Sequence, residues 1–290
     1  MTRKMNPRTH KKKTAGQYIA DIIKGIVLFI ACLVTAFPFF WMILSSLKTK
    51  DEVMNASHLL PAVPQWGNLT YVLFHSPIPK YIANSLFVSV LTVALQLVTG
   101  AMLAYALVFL HFKGRKLLFT IVMGTYMLPV AATYIPSYII LSHWHLLNTL
   151  SGIIISSTVS MFGIFLLRTA FKQVPPALQE AALIDGASHW SILWRVIFPV
   201  SKSSFITFGL MSFISTYNNY MWPSLLTNDQ NKYMVSQGLR SFFIEGGAFG
   251  TEWQLVMAAS AVIIVPLLIL FAFTQRWFIN GIGGDTGLKG

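Results

Sequence analysis

Residues 179–199 read QEAALIDGASHWSILWRVIFP, and this polar, turn-bearing stretch lies between two long apolar runs. Pro175 and Pro176 stand just before it and suit the first turn of a helix, because proline's restricted φ is already helical there. Ala177 to Asp185 are mostly good helix formers, and Gly186 can take the left-handed conformation that ends a helix. Leu178, Ala181, Ala182 and Asp185 recur at i, i+3, i+4, i+7, which predicts a shared face with small alanines flanked by the charges of Glu180 and Asp185. Ser188 is placed to cap a second helix running through Arg195 and ending at Pro199. A helix, a glycine turn and a second helix between two apolar runs make a surface on which another protein can press. The same pattern also fits an ordinary amphipathic helix at an interface.

Composition says what surrounds that stretch. Only 10% of the 290 residues are charged, against about 25% in soluble domains, and the mean hydropathy is +0.63. Six stretches, 25–47, 85–110, 117–141, 151–167, 203–226 and 255–275, contain no Asp, Glu, Lys or Arg. Each is close to the roughly 20 residues that cross a bilayer core, the fourth being the shortest. The expected fold is an all-α integral membrane protein of six transmembrane helices with both termini on one side. Of the 21 Lys and Arg residues, sixteen fall in 1–24, 111–116, 168–202 and 276–290, and five (Lys48, Lys50, Lys80, Lys232, Arg240) fall on the other side. The positive-inside rule then predicts cytoplasmic termini and a cytoplasmic 168–202 loop. The expected organisation is a lead over 1–24, a six-span domain over 25–275 and a tail over 276–290.

Span three carries Pro129 and Pro136, so a kink or local unwinding is expected there. The first outer loop, 48–84, is proline-rich and reads as extended or turn structure, with its sequons at Asn55 and Asn68 read as chance. The single cysteine, Cys32, excludes an internal disulfide. The basic run over 8–13 is explained by a cytoplasmic N-terminus near anionic lipid, and no nucleic-acid partner is expected. No G-x-x-x-x-G-K-[ST], H-E-x-x-H or G-x-S-x-G motif occurs, and no acidic residue lies mid-span. No means of powering transport is evident, so the chain is expected to be neither an enzyme nor a self-driven carrier. The competing reading is a stand-alone secondary carrier or channel.

The stretch E-A-A-x-x-x-G at Glu180, Ala181, Ala182 and Gly186 is followed after nine residues by an apolar-x-apolar-Pro run ending at Pro199. It resembles the EAA loop of ABC importer permeases of the maltose type, with Val196 and Phe198 where Ile and Leu are usual. Further landmarks are FPFFW over 37–41, Asn84-Ser85, FGIFLLR over 162–168, Trp222-Pro223, GTEW over 250–253 and TGLKG over 286–290. The resemblance implies a type I importer in a bacterial or archaeal plasma membrane, taking up a carbohydrate or related polyol such as a sugar or glycerol 3-phosphate. It implies four kinds of partner: a second six-span permease forming a heterodimer, two ATPase subunits that hold ATP and Mg, a solute-binding protein outside, and lipid. This chain itself would bind no cofactor and no metal. Glu180, Ala181, Ala182, Asp185, Gly186, Ala187 and Pro199 would form the coupling element seated on an ATPase.

Ser212, Ser215, Asn219 and Trp222 recur at helical spacing in the outer half of span five, a mix of hydroxyl, amide and aromatic groups that suits sugars. Tyr126 and Tyr134, near the prolines of span three, are a second candidate pore wall. Interfacial anchoring explains such residues equally well. The glycine- and phenylalanine-rich segment over 241–250 reads as a surface loop, and the resemblance implies a binding-protein contact through Phe242, Phe243, Gly246, Gly247 and Phe249. His143 and His145 flank Trp144 and read as interfacial side chains.

Overall fold

The computed structural model describes residues 15–55, 59–245 and 252–282. No strand occurs among the described residues; helices run almost end to end. Three of them are long and apolar enough to cross a bilayer unbroken: α1 (Ala15–Ser46), α4 (Ile78–Phe109) and α15 (Trp253–Ile282). Residues 15–24 of the lead are helical and continuous with span one. Pro38 and Pro266 lie inside α1 and α15 without ending them.

The three remaining expected spans are each broken, the fifth after Tyr217. Span three consists of α5 (Arg115–Tyr126) and α6 (Val130–His143), which meet at 99°. The expected kink is therefore a full corner. It falls at Pro129, whose missing N–H and ring cannot continue the helix, whereas Pro136 is carried inside α6. Span four consists of α7 (Leu150–Ser156) and α8 (Met161–Phe171), bent by 45°. Here Ser157 ends the first helix and Ser160 starts the second, its side chain accepting from the Gly163 N–H at 3.1 Å.

The described part of the proline-rich segment 48–84 is more ordered than its prolines imply. It holds α2 (Lys50–Met54), closed by a capping box of Thr49 and Glu52, and α3 (Trp66–Phe74). Asn68 of the second sequon is bonded within the fold. Its amide donates to the carbonyls of Ser46 and Lys48 at 2.9 Å each, satisfying the end of α1. Lys48 is fully buried with its ammonium 4.3 Å above the Trp41 ring.

The core is centred on α4, which packs against α8, α12 (Lys202–Tyr217), α7 and α14 (Val235–Glu245). Small residues permit the closest approaches. At Gly163 of α8 a methyl group would run into the Phe208 ring, so only glycine lets α8 and α12 meet there. In contrast α1 packs along α15 and exposes nearly its whole apolar length, as a helix in lipid does.

Gly163→Val is expected to destabilise the bundle by about 3 kcal/mol or more through overpacking. Thermal aggregation of the detergent-solubilised protein checks this, and Phe208→Ala in the same chain should recover part of the loss.

Candidate coupling knuckle and solute pathway

The 168–202 segment folds as a compact knuckle at one end of the bundle. Helix α9 (Pro176–Ile184) begins at the second proline and ends at Asp185. Gly186 follows with φ +79°, the Gly186 N–H bonds the Leu183 carbonyl, and the Ala187 N–H bonds the Ala182 carbonyl, both at 3.0 Å. This Schellman closure turns the chain sharply into α10 (His189–Ile192), capped by the Ser188 side chain accepting from the Ser191 N–H at 3.3 Å. The second helix does not stop at Pro199. It widens into a π turn over Leu193–Ile197 and runs on as α11 (Phe198–Val200). The wide turn has a physical reason: Pro199 lacks an N–H and its ring would strike the Arg195 carbonyl in a regular α-helix. The corner falls at Ser201, where the chain turns by 87° into α12.

Glu180, Ala181, Asp185, Gly186 and Pro199 are exposed, while Ala182 and Ala187 are half-buried. The face shared by Leu178, Ala181, Ala182 and Asp185 therefore splits. Leu178, Ala181 and Asp185 point outward, and Ala182 turns inward on the same side as the buried Gln179. The inner side seats on an apolar and aromatic floor: Ala182, Ala187, Ile192, Leu193 and Ile197 pack with Phe109, Phe171 and Phe205. Ile184, 86% exposed, and Trp190, 56% exposed, stand on the outer side with Leu178 and Leu183. Apolar side chains beside carboxylates on an open face are what a protein partner covers.

The hydroxyl–aromatic stripe of span five does not form. Helix α12 ends at Tyr217, because Asn218 and Asn219 turn back onto it: the Asn218 amide donates to the Ile214 carbonyl at 2.9 Å. Trp222 therefore lies on a separate helix, α13 (Met221–Leu226), and is buried. Its indole N–H donates to the Ser156 hydroxyl at 2.8 Å, and its ring stacks on Tyr134 at 5.2 Å. Trp222 and Tyr134 thus meet, in a joint among spans three, four and five. Ser212 turns inward as well, donating to the Gln96 side chain. Ser215 is exposed, Asn219 half-buried, and Tyr126 exposed at the corner of span three. Among these six residues, only Ser215 and Tyr126 face freely outward.

Gln96 is a residue that composition does not single out, although it is a lone amide in a charge-free stretch. Its Nε2 donates to the Ser157 carbonyl at 2.6 Å and Thr99 donates to the Thr158 carbonyl at 2.9 Å. Both carbonyls are released by the break in span four, where lipid offers no donor.

At the opposite end of the bundle, Lys50 pairs with Glu252 at 3.2 Å, joining the start of α2 to the start of α15. A hydrogen bond from Gln254, and then Lys50, hold the Glu252 carboxyl below its ordinary range. Asn84 donates to the carbonyls of Asn231 and Tyr233, tying α4 to the loop before α14. His143 and His145 are both exposed, and no group of three or more metal-binding side chains gathers among the described residues. The side chains of Phe242 and Phe243, together with Gly246, Gly247 and Phe249, lie outside the described residues, as do 1–14 and 283–290.

Replacing Gln96 by Leu should cost about 1–2 kcal/mol by leaving the Ser157 carbonyl without a donor. Unfolding in mixed micelles measures it, and an unchanged midpoint would remove the pinning role.

Comparison with known proteins agrees with this architecture. The chain is 30% identical over 270 residues to the sn-glycerol-3-phosphate transport system permease protein UgpE of Pectobacterium atrosepticum, covering 90% of this chain and 95% of that protein. It is 27% identical to the diacetylchitobiose uptake system permease protein NgcG of Streptomyces coelicolor, covering 91% and 88%. A chain from the crystal structure of a bacterial ABC transporter involved in import of the acidic polysaccharide alginate superposes with a TM-score of 0.81 at 25% identity, covering 92% of this chain and 99% of that one. Residues 96–283 match the family model described as binding-protein-dependent transport system inner membrane component. This chain belongs to that family.

Proposed function

We propose that the protein is the membrane-spanning permease subunit of an ATP-driven importer for a carbohydrate or related polyol. ATP is hydrolysed on separate subunits, and solute is delivered by a binding protein outside the membrane. The observation that carries this reading is the knuckle: a turn with an open apolar and acidic outer face, seated firmly on the end of an apolar bundle. Family membership supports the same assignment.

In this reading the outer face of the knuckle, with Glu180, Ala181, Asp185 and Gly186, docks in a cleft of an ATPase subunit, and Ala182, Ala187 and Pro199 hold its shape. Closure of two ATPases on ATP and Mg pushes the knuckle. The broken spans above it then move between two packings, which opens the solute path outward. The charge asymmetry supports a cytoplasmic knuckle and cytoplasmic termini in a bacterial or archaeal plasma membrane. A second six-span permease covers the exposed face of the bundle, and Ser215 and Tyr126 are the candidates of this chain for solute contact. The relatives named for sn-glycerol 3-phosphate and diacetylchitobiose and the alginate importer all concern hydroxyl-rich solutes, which supports the polyol class.

Gly186→Val places a β-branched side chain at φ +79°, a strain of about 1–2 kcal/mol or more. The expected result is loss of solute uptake with the permease still in the membrane, read by radiolabelled uptake and immunoblot; undiminished uptake overturns the coupling role. The segment with Phe242, Phe243, Gly246, Gly247 and Phe249 is proposed to enter the cleft of the docked binding protein. Deleting 244–248 should lower binding-protein-stimulated ATP hydrolysis while leaving the basal rate, and an unaltered stimulated rate contradicts that contact.

A further inference from the structure

The floor beneath the knuckle is apolar with one exception. Tyr105, in the last turns of α4, is 4% exposed, and its hydroxyl lies 2.9 Å from the Nδ1 of His189 on α10. Gln179 on α9, itself 8% exposed, faces the same hydroxyl. A phenol is donor and acceptor at once, so its oxygen can bond the His189 ring in either tautomer of the imidazole. Among the described residues, no other side-chain hydrogen bond ties either knuckle helix to the bundle. The Tyr105 ring is itself held, 5.1 Å from Phe109, whose ring is 6.4 Å from Phe171 of α8.

Apolar packing is non-directional, so the contacts of Ala182, Ile192 and Leu193 with their floor permit sliding and rolling. Buried hydrogen bonds do not permit it. If α10 swings without α4, the phenol of Tyr105, 4% exposed, is left without its partner. Helix α4 is also the span on which α7, α8, α12 and α14 pack. The geometry points to Tyr105 as the positioning residue that locks α10, and through it the knuckle, to α4, so that a push on the knuckle moves the core span instead of tilting the knuckle on its floor. This rests on the coupling role proposed above for the knuckle.

The test uses the whole transporter, reconstituted in liposomes with its ATPase and binding-protein subunits. Radiolabelled sn-glycerol 3-phosphate and N,N′-diacetylchitobiose serve as probes, and the better-transported of the two is carried forward. The readout is the ratio of solute imported to ATP hydrolysed, which a merely structural role does not move. Tyr105→Phe keeps the ring and removes the hydroxyl. The ratio should fall roughly fivefold with ATP hydrolysis retained, the factor expected when one hydrogen bond of ordinary net strength no longer biases a two-state element. His189→Ala should lower the ratio by a similar factor, and it should not add to the loss in Tyr105→Phe. Should Tyr105→Phe fail to assemble, His189→Ala gives the same readout. An unchanged ratio overturns the assignment, as does a parallel fall of import and hydrolysis. Gly186→Val, measured alongside, separates the two ideas. Lost uptake there with a normal ratio in Tyr105→Phe removes only the lock, whereas normal uptake in Gly186→Val removes the coupling role itself.

Discussion

The structure depends on how the knuckle is seated. Its inner residues, Ala182, Ala187, Ile192, Leu193 and Ile197, share one buried cluster with Phe171 and Phe205, and Phe198 stands 4.8 Å edge-on to Phe205. Close-packed aromatic rings transmit displacement because they have no empty space to yield into. A loop resting loosely on the bundle would absorb a partner's push. The left-handed Gly186 makes the seat possible by folding α10 back under the spans, and the π turn before Pro199 lets the chain reach its corner at Ser201 without a steric clash.

A second constraint acts within the spans. Every break in a membrane helix releases carbonyl and N–H groups that lipid cannot satisfy. The break in span four is sealed by Gln96 and Thr99 of α4, and the nearby Ser156 hydroxyl accepts from Trp222. Polar side chains that look like a solute pathway in the sequence are thus used to hold broken helices together. The same breaks give the bundle places where two packings can interchange, which is what a transport cycle asks of it.

Much of this was legible in the chain. Three charge-free stretches overlap the long helices α1, α4 and α15, and Pro176, Gly186 and Ser188 located the helix, turn and cap of the knuckle, since each is dictated by local backbone chemistry. What the periodicity misplaced was tertiary. Ser212 and Trp222 keep helical spacing on paper, yet Asn218 and Asn219 end the helix between them, and the two side chains turn to different partners. Ala182 shares a spacing with Leu178 and Ala181, but the floor beneath the knuckle selects the Gln179 and Ala182 side for burial. Tyr105 carried no local signal, because its bonded partner His189 lies 84 positions away in the chain.

In the proposed cycle the force for transport enters from other subunits through the knuckle. The decisive measurement is solute flux into proteoliposomes holding this chain and its permease partner, with and without the ATPase subunits, under imposed proton and sodium gradients. Accumulation is expected only when the ATPases and ATP are present, whatever the ion gradient. Gradient-driven accumulation by the permeases without ATPases would contradict that origin of the force.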